Sequence, residues 1–401
     1  MNAPKPFSTP VTVAHPALPS LKDFSRGLEE IWDRAWLTNN GPLVQQFRRQ
    51  LTEVCKSTNI SLISNGTLAL QLALQGLEIT GEAITTPYTF VASTHALFWN
   101  KIRPVFVDIE PHYYSLDPEQ VEAAITPWTS AILAVHVYGY PCQLEALAAI
   151  ARRHGLKLIY DAAHAFGVEV NGIPIGKFGD ASMFSLHATK VFHSIEGGML
   201  MSQSPDLIRR VDYLKNFGFE SETEVVMPGT NAKMSEFQAL MGVLLLRQLE
   251  AMIEKRKAAA EHYHARLRAI PGLRLPPHPA EGVRYNYAYL PVEIDASRFG
   301  ASRDTVYDGL RKFNVLARRY FYPLIPDLVC YRGLFPASGL SVARGIADRI
   351  LTLPLYSDLE PSVIDRICDM VLYIQAKEHS RSVVAGLALP TPTPENTVTA
   401  Q

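Results

Sequence analysis

The chain has 401 residues, 47% of them hydrophobic and 19% charged, with a formal net charge of -1. That is enough apolar material for a large core in about two domains, at roughly 150 residues each. The near-neutral balance gives no electrostatic case for nucleic acid or an anionic membrane, because phosphate groups need a concentrated basic surface.

The N-terminal stretch carries Pro4, Pro6, Pro10 and Pro16 without a signal-peptide apolar core, and no apolar run reaches the ~20 residues a spanning helix needs. The expected compartment is therefore the cytoplasm, and residues 1–20 are expected to be an arm that packs loosely or reaches to a partner subunit. Apolar residues recur at helical spacing from Phe24 to Trp36 and from Leu43 to Val54, parted by Asn39-Asn40-Gly41-Pro42. Ile60 to Ile63 reads as a strand, and Ser64-Asn65-Gly66-Thr67 opens a helix. Unpaired N–H groups and the positive end of the helix dipole meet there, so Gly66 and Thr67 are candidate phosphate ligands. Ser64 or Asn65 acting as a plain helix cap explains the same tetrapeptide.

Strands Ala83 to Thr86, Pro104 to Ile109, Ala131 to Tyr138 and Leu156 to Tyr160 then alternate with helical stretches. The alternation predicts an α/β fold, a mostly parallel central sheet sandwiched by helices. Ligands of such sheets gather at the carboxyl ends of strands, where Asp161 stands. His164, three residues on, could hydrogen-bond a ligand's ring hydroxyl or be a satisfied histidine beside the strand. Phe90, in the loop after an earlier strand, could stack on a ring or belong to the core. Residues 168–175 read as a hairpin turning on Asn171-Gly172.

Lys190 follows the apolar run Ala181 to Phe184 on a polar loop that ends at Gly197-Gly198. A lysine there can form an imine with an aldehyde, and a carboxylate such as Asp161 can keep a pyridinium nitrogen protonated. The pair suggests a site for pyridoxal 5'-phosphate, although any single lysine is far more often a solvated surface residue. Ser185, five residues before it, could join Gly66 and Thr67 around the phosphate.

From about Asn40 onward the chain resembles the DegT/StrS group of fold-type I, pyridoxal-phosphate-dependent aminotransferases that act on nucleotide-linked keto sugars. The resemblance rests on Ser64-Asn65-Gly66-Thr67-Leu68-Ala69-Leu70, Pro87-Tyr88-Thr89-Phe90-Val91-Ala92, Asp161-Ala162-Ala163-His164, the Ser185 to Gly198 stretch and residues Gly229 to Gln238. It implies that Lys190 is the catalytic residue, holding the cofactor and shuttling a proton, and that Asp161 pairs with the pyridine nitrogen. It further implies that Gly66, Thr67 and Ser185 bind the phosphate and that Phe90 stacks on the ring. His164 stands where glutamine is usual, which makes its contact to the ring hydroxyl pH-sensitive. Asn231 would reach the cofactor phosphate of the neighbouring subunit, so the working unit would be a homodimer with shared sites. The amino donor implied is L-glutamate, leaving as 2-oxoglutarate, and the acceptor is a nucleotide sugar. The Ser185 to Gly198 stretch, with Lys215-Asn216-Phe217-Gly218 after it, looks most like the enzymes that aminate C-4 of dTDP-4-keto-6-deoxyglucose. Amination at C-3, or of a GDP- or UDP-linked keto sugar, is the alternative. Lys190 argues against the family's dehydrating branch, which has histidine there.

The expected division is a large cofactor-binding domain over 21–250, a smaller α+β domain over 251–380 and a disordered tail over 381–401, rich in proline and threonine. A helical region from Met234 to Ile270 would join the domains, followed by strand Tyr287 to Ile294, helix Ser302 to Phe313, strand Val315 to Ala317 and a last helix from Ser362 to Ala376. Arg318, Arg319 and Tyr322 are candidate substrate contacts, since arginine can grip a carboxylate or phosphate with two parallel bonds; adjacent arginines are as often solvated. Cys55, Cys142, Cys330 and Cys368 lack metal-ligand spacing, and no metal is expected. A non-catalytic regulator would need a broken site or an attached DNA-binding domain, and a nicotinamide enzyme a Gly-x-Gly-x-x-Gly turn; none of these is visible.

Overall fold

The computed structural model describes residues 3–387. Its large unit is built on a seven-stranded sheet in the spatial order Ile60–Ile63, Gly198–Met201, Ala181–Ser185, Lys157–Asp161, Thr129–Val135, Glu82–Thr85 and Arg103–Phe106. Neighbours run parallel except at Gly198–Met201, which is antiparallel to both of its own. Alternate residues feed two cores, as a period of two requires. Ile132, Tyr160 and Phe184 pack with Phe47 and Phe192 on one face, while Leu133, Ile159 and Met183 pack with Leu70, Leu74 and Val211 on the other. The expected α/β sandwich is thus the observed one.

The smaller unit has an antiparallel sheet of Leu273–Arg274, Leu290–Ile294 and Ile350–Leu353. Helices Arg303–Lys312 and Pro361–Leu387 close it over a core that includes Tyr263, Leu290, Leu310 and Ile367. The hairpin at Asn171-Gly172 forms as expected, with positive φ at both turn residues (51° and 74°), the backbone a primed turn needs.

Several boundaries differ from expectation. The N-terminal arm does not pack loosely: Val11–Thr12 adds a parallel strand to Val315–Leu316, because Val11 has an apolar core to fill. The helical region after Met234 breaks at Arg247–Gln248 into Glu236–Leu246 and Leu249–Leu267, since its first half serves the large core and its second half ends in the small one. The strand from Thr129 stops at Val135, and Tyr138 takes a left-handed φ of 56°. The last helix passes Ala376 and includes residues 381–387 of the expected tail; 388–401 lie outside the described residues. Among the described residues no helix is long and apolar enough to cross a membrane.

Candidate active site

The motif-bearing loops meet at the carboxyl ends of the parallel strands, around a cavity of about 610 Å3. Gly66, Thr67, Phe90, Asp161, His164, Ser185 and Lys190 all line it.

Asp161 is buried at the end of Lys157–Asp161. Its Oδ2 accepts a hydrogen bond from Ser93 Oγ at 2.7 Å, and its Oδ1 accepts one from the Ala163 N–H at 3.0 Å. Burial raises its pKa above the usual carboxylate value, while Ser93, Ala163 and the charge of Lys190 pull it back. Lys190 is half-buried, with Nζ 6.0 Å from the centre of the Tyr289 ring. Burial lowers its amine pKa, and Asp161 and Tyr320 oppose that. The effect is to make the neutral, nucleophilic amine more accessible than in a solvated lysine.

His164 is buried with its ring parallel to Phe321, centroids 6.0 Å apart and planes at 3°. The Tyr138 N–H donates to its Nδ1 at 3.2 Å, which leaves the proton of the neutral ring on Nε2 as a donor. Burial, with the Lys190 charge adding to it, holds the pKa of His164 well below 6.5. That shift favours the neutral imidazole over its charged form.

At the helix start the tetrapeptide both caps the helix and faces the cavity. Asn65 Oδ1 caps by accepting from the Leu68 N–H at 2.9 Å, and Gly66 and Thr67 face the cavity. A Cβ on Gly66 would lie 3.0 Å from Ser185 Cβ and 3.2 Å from the Met183 sulfur, so the helix starts in tight contact with the strand end. Helix-end N–H groups beside the hydroxyls of Thr67 and Ser185 fit a phosphate, and a buried carboxylate and amine fit a pyridine aldehyde. Phe90 belongs to the cavity rim, 56% exposed, and not to the core.

The remaining candidates do not line this cavity. Arg319 donates to Asp304 Oδ1 at 2.9 Å and lies 4.5 Å over the Tyr307 ring. Tyr322 is flanked by the guanidinium groups of Arg303 and Arg319, at 4.6 and 5.5 Å. Arg318 is exposed and pairs through its backbone with Thr352. Asn231 is exposed, bridged by its backbone to Asn216. The chain around Arg318 turns its neighbours inward instead: Tyr320 and Phe321 line the cavity, as do Tyr289, His187 and Glu196. Sequence reasoning missed these and Ser93, although the aromatic pair Tyr320-Phe321 lay inside the very segment that was singled out for its arginines.

Residues 21–372 match the model of the DegT/DnrJ/EryC1/StrS aminotransferase family. The chain is 45% identical over 365 residues to the dTDP-4-amino-4,6-dideoxy-D-glucose transaminase of Escherichia coli, covering 90% of this chain and 98% of that one. It is 30% identical over 348 residues to the GDP-perosamine synthase of Vibrio cholerae, covering 86% and 94%. Among solved structures, DesI in the presence of its TDP-sugar product superposes with a TM-score of 0.90 at 36% identity, covering 95% of this chain and 97% of the other. With the fold, the converging motifs and near-full-length relatives in agreement, the chain belongs to the DegT/DnrJ/EryC1/StrS aminotransferase family.

Proposed function

We propose that the chain is a cytoplasmic, pyridoxal-phosphate-dependent aminotransferase that moves the amino group of L-glutamate to C-4 of dTDP-4-keto-6-deoxy-D-glucose. The observation that carries the chemistry is the meeting of the Lys190 amine, the Asp161 carboxylate and the Gly66 helix start around one cavity. The choice of sugar is supported by relatives from Escherichia coli and Shigella dysenteriae, both dTDP-4-amino-4,6-dideoxy-D-glucose transaminases, at 45% and 42% identity.

When bound, the cofactor supplies an aldehyde for an amine and an electron-accepting ring. Gly66, Thr67 and Ser185 would hold its phosphate and Phe90 its ring face. Asp161, with Ser93 and Ala163 fixing its orientation, keeps lone pairs free for a protonated ring nitrogen. His164 would offer Nε2–H to the ring oxygen. Lys190 Nζ would hold the cofactor through its aldehyde and, as a free amine, would carry the proton between the donor's α-carbon and the cofactor. On the keto-sugar side the same nitrogen would move a proton in the reverse sense. Tyr320 and Phe321 help exclude water. Asn231, exposed and away from its own chain's cavity, is assigned to the site of a second subunit in a homodimer.

The test is amine transfer by cofactor-loaded protein with glutamate and three acceptors: dTDP-4-keto-6-deoxyglucose, its 3-keto isomer and a GDP-4-keto sugar, with products read by mass and NMR. The expected outcome is amination of the first alone. Lys190→Ala should lose both the cofactor's bound absorbance band and turnover, and a Lys190→Ala protein that still transferred amino groups would overturn the assignment.

A further inference from the structure

A second hollow, of about 410 Å3, lies where the loop before helix Pro42–Val54 meets strand Ile60–Ile63 and the end of helix Pro205–Leu214. It shares no lining residue with the cavity above. Three cations line it, Arg48, Lys215 and Lys233, against the single carboxylate of Asp212. That carboxylate is already engaged. Its Oδ1 accepts from Lys215 Nζ at 2.5 Å and from Ser61 Oγ at 2.6 Å, and its Oδ2 lies 3.7 Å from Arg48 Nη1. Lys233 has no carboxylate partner among the described residues, and its Nζ sits 4.6 Å over the Phe217 ring.

The surplus is two positive charges in a partly enclosed space. Burial first, and then the charge of Lys215, hold the Lys233 amine below its usual pKa. Such a field attracts a multiply charged anion. Asn40 and Asn216 add carboxamides, and Asn39 and Asn40 are set by consecutive left-handed φ values of 60° and 56°. Cations and carboxamides arriving from separate elements suit an anion whose oxygens point in several directions, a phosphate before a planar carboxylate.

We propose that this hollow is a diphosphate-binding site. The chemistry has two sources, free inorganic diphosphate or the diphosphate bridge of a nucleotide sugar; the second rests on the activity proposed above. Asn216 is bridged to Asn231, the residue assigned to a second subunit's site, so a nucleotide held there would lie near this surface.

The test is calorimetric titration of the full-length, cofactor-loaded protein with inorganic diphosphate, loading being done first so that the Gly66 cradle is filled. One saturable site per chain is expected, weakened at least tenfold in Lys233→Gln and in Arg48→Gln and retained in Lys233→Arg, with thermal melts verifying that each variant is folded. Absence of saturable binding to the parent protein overturns the proposal, as does undiminished binding by both Gln variants. Competition by dTDP but not thymidine identifies the nucleotide as the source, and diphosphate binding undisturbed by dTDP identifies the free anion. Neither arm uses glutamate, so a failure here is distinguishable from a failure of the amine-transfer assay.

Discussion

At Asp161, burial and hydrogen bonding act in opposite directions, and burial wins: the carboxyl binds its proton more tightly folded than unfolded. Its contribution to stability is therefore full below the ordinary carboxylate pKa and declines as pH rises through the raised one. In cofactor-free protein, Asp161→Asn should remove that decline, giving a melting temperature at pH 7 equal to or above the parent's, while turnover of the loaded enzyme falls on the order of 10²–10³-fold. Melting curves of both proteins from pH 4 to 8 check this; a parallel pH dependence would contradict it. Ser93 is the positioning residue here, its Oγ also 2.9 Å from Thr89 Oγ1. Ser93→Ala should weaken cofactor binding about fivefold, the worth of one net hydrogen bond of about 1 kcal/mol, as read by fluorescence titration. Lys190 and Asp161 were legible in the sequence because their chemistry is unusual at strand ends. Ser93 was not, because its partner lies 68 residues away and a serine near a helix start reads as any other.

Among the elements, helix Pro42–Val54 starts on a loop that supplies no side-chain cap. Glu236, fully buried on another helix, takes that role, accepting from the Leu43 and Val44 N–H groups at 2.9 Å each. The carboxylate comes so close that a Cβ on Gly41 would lie 2.6 Å from Glu236 Cδ. Glu236→Ala leaves two buried donors without a partner and should destabilise by about 3 kcal/mol, whereas Glu236→Gln, which keeps one acceptor oxygen, should lose roughly half of that. Urea midpoints at unchanged slope measure both. Helix periodicity was readable for this element, but its cap was not, since cap and helix are 193 residues apart.

Over the whole molecule, the site is completed by the small unit leaning on the large one. Tyr88 and Tyr138, their hydroxyls 2.6 Å apart, both reach the Tyr320 carbonyl and share two protons between it and each other, so two buried phenols of the large unit hold the segment that brings Tyr320 and Phe321 over the cavity. Tyr138→Phe keeps the ring stacked on Phe321 and should raise KM for glutamate about fivefold, equivalent to about 1 kcal/mol, while adding Tyr88→Phe should cost less than a second full increment because the two share one acceptor. Steady-state kinetics on the two single variants and the double variant test that coupling. The sequence alone determined the parallel α/β plan and singled out Gly66, Asp161, Ser185 and Lys190, which the fold brings to one cavity, because strand–helix alternation and reactive side chains at loop positions are local signals. Only the tertiary structure decided that Phe321 faces His164 while Arg319 turns to Asp304, that a distant Glu236 caps a helix, and that Arg48, Lys215 and Lys233 gather in one hollow. These depend on contacts between segments far apart in the chain, and long-range packing leaves no periodicity for a sequence to display.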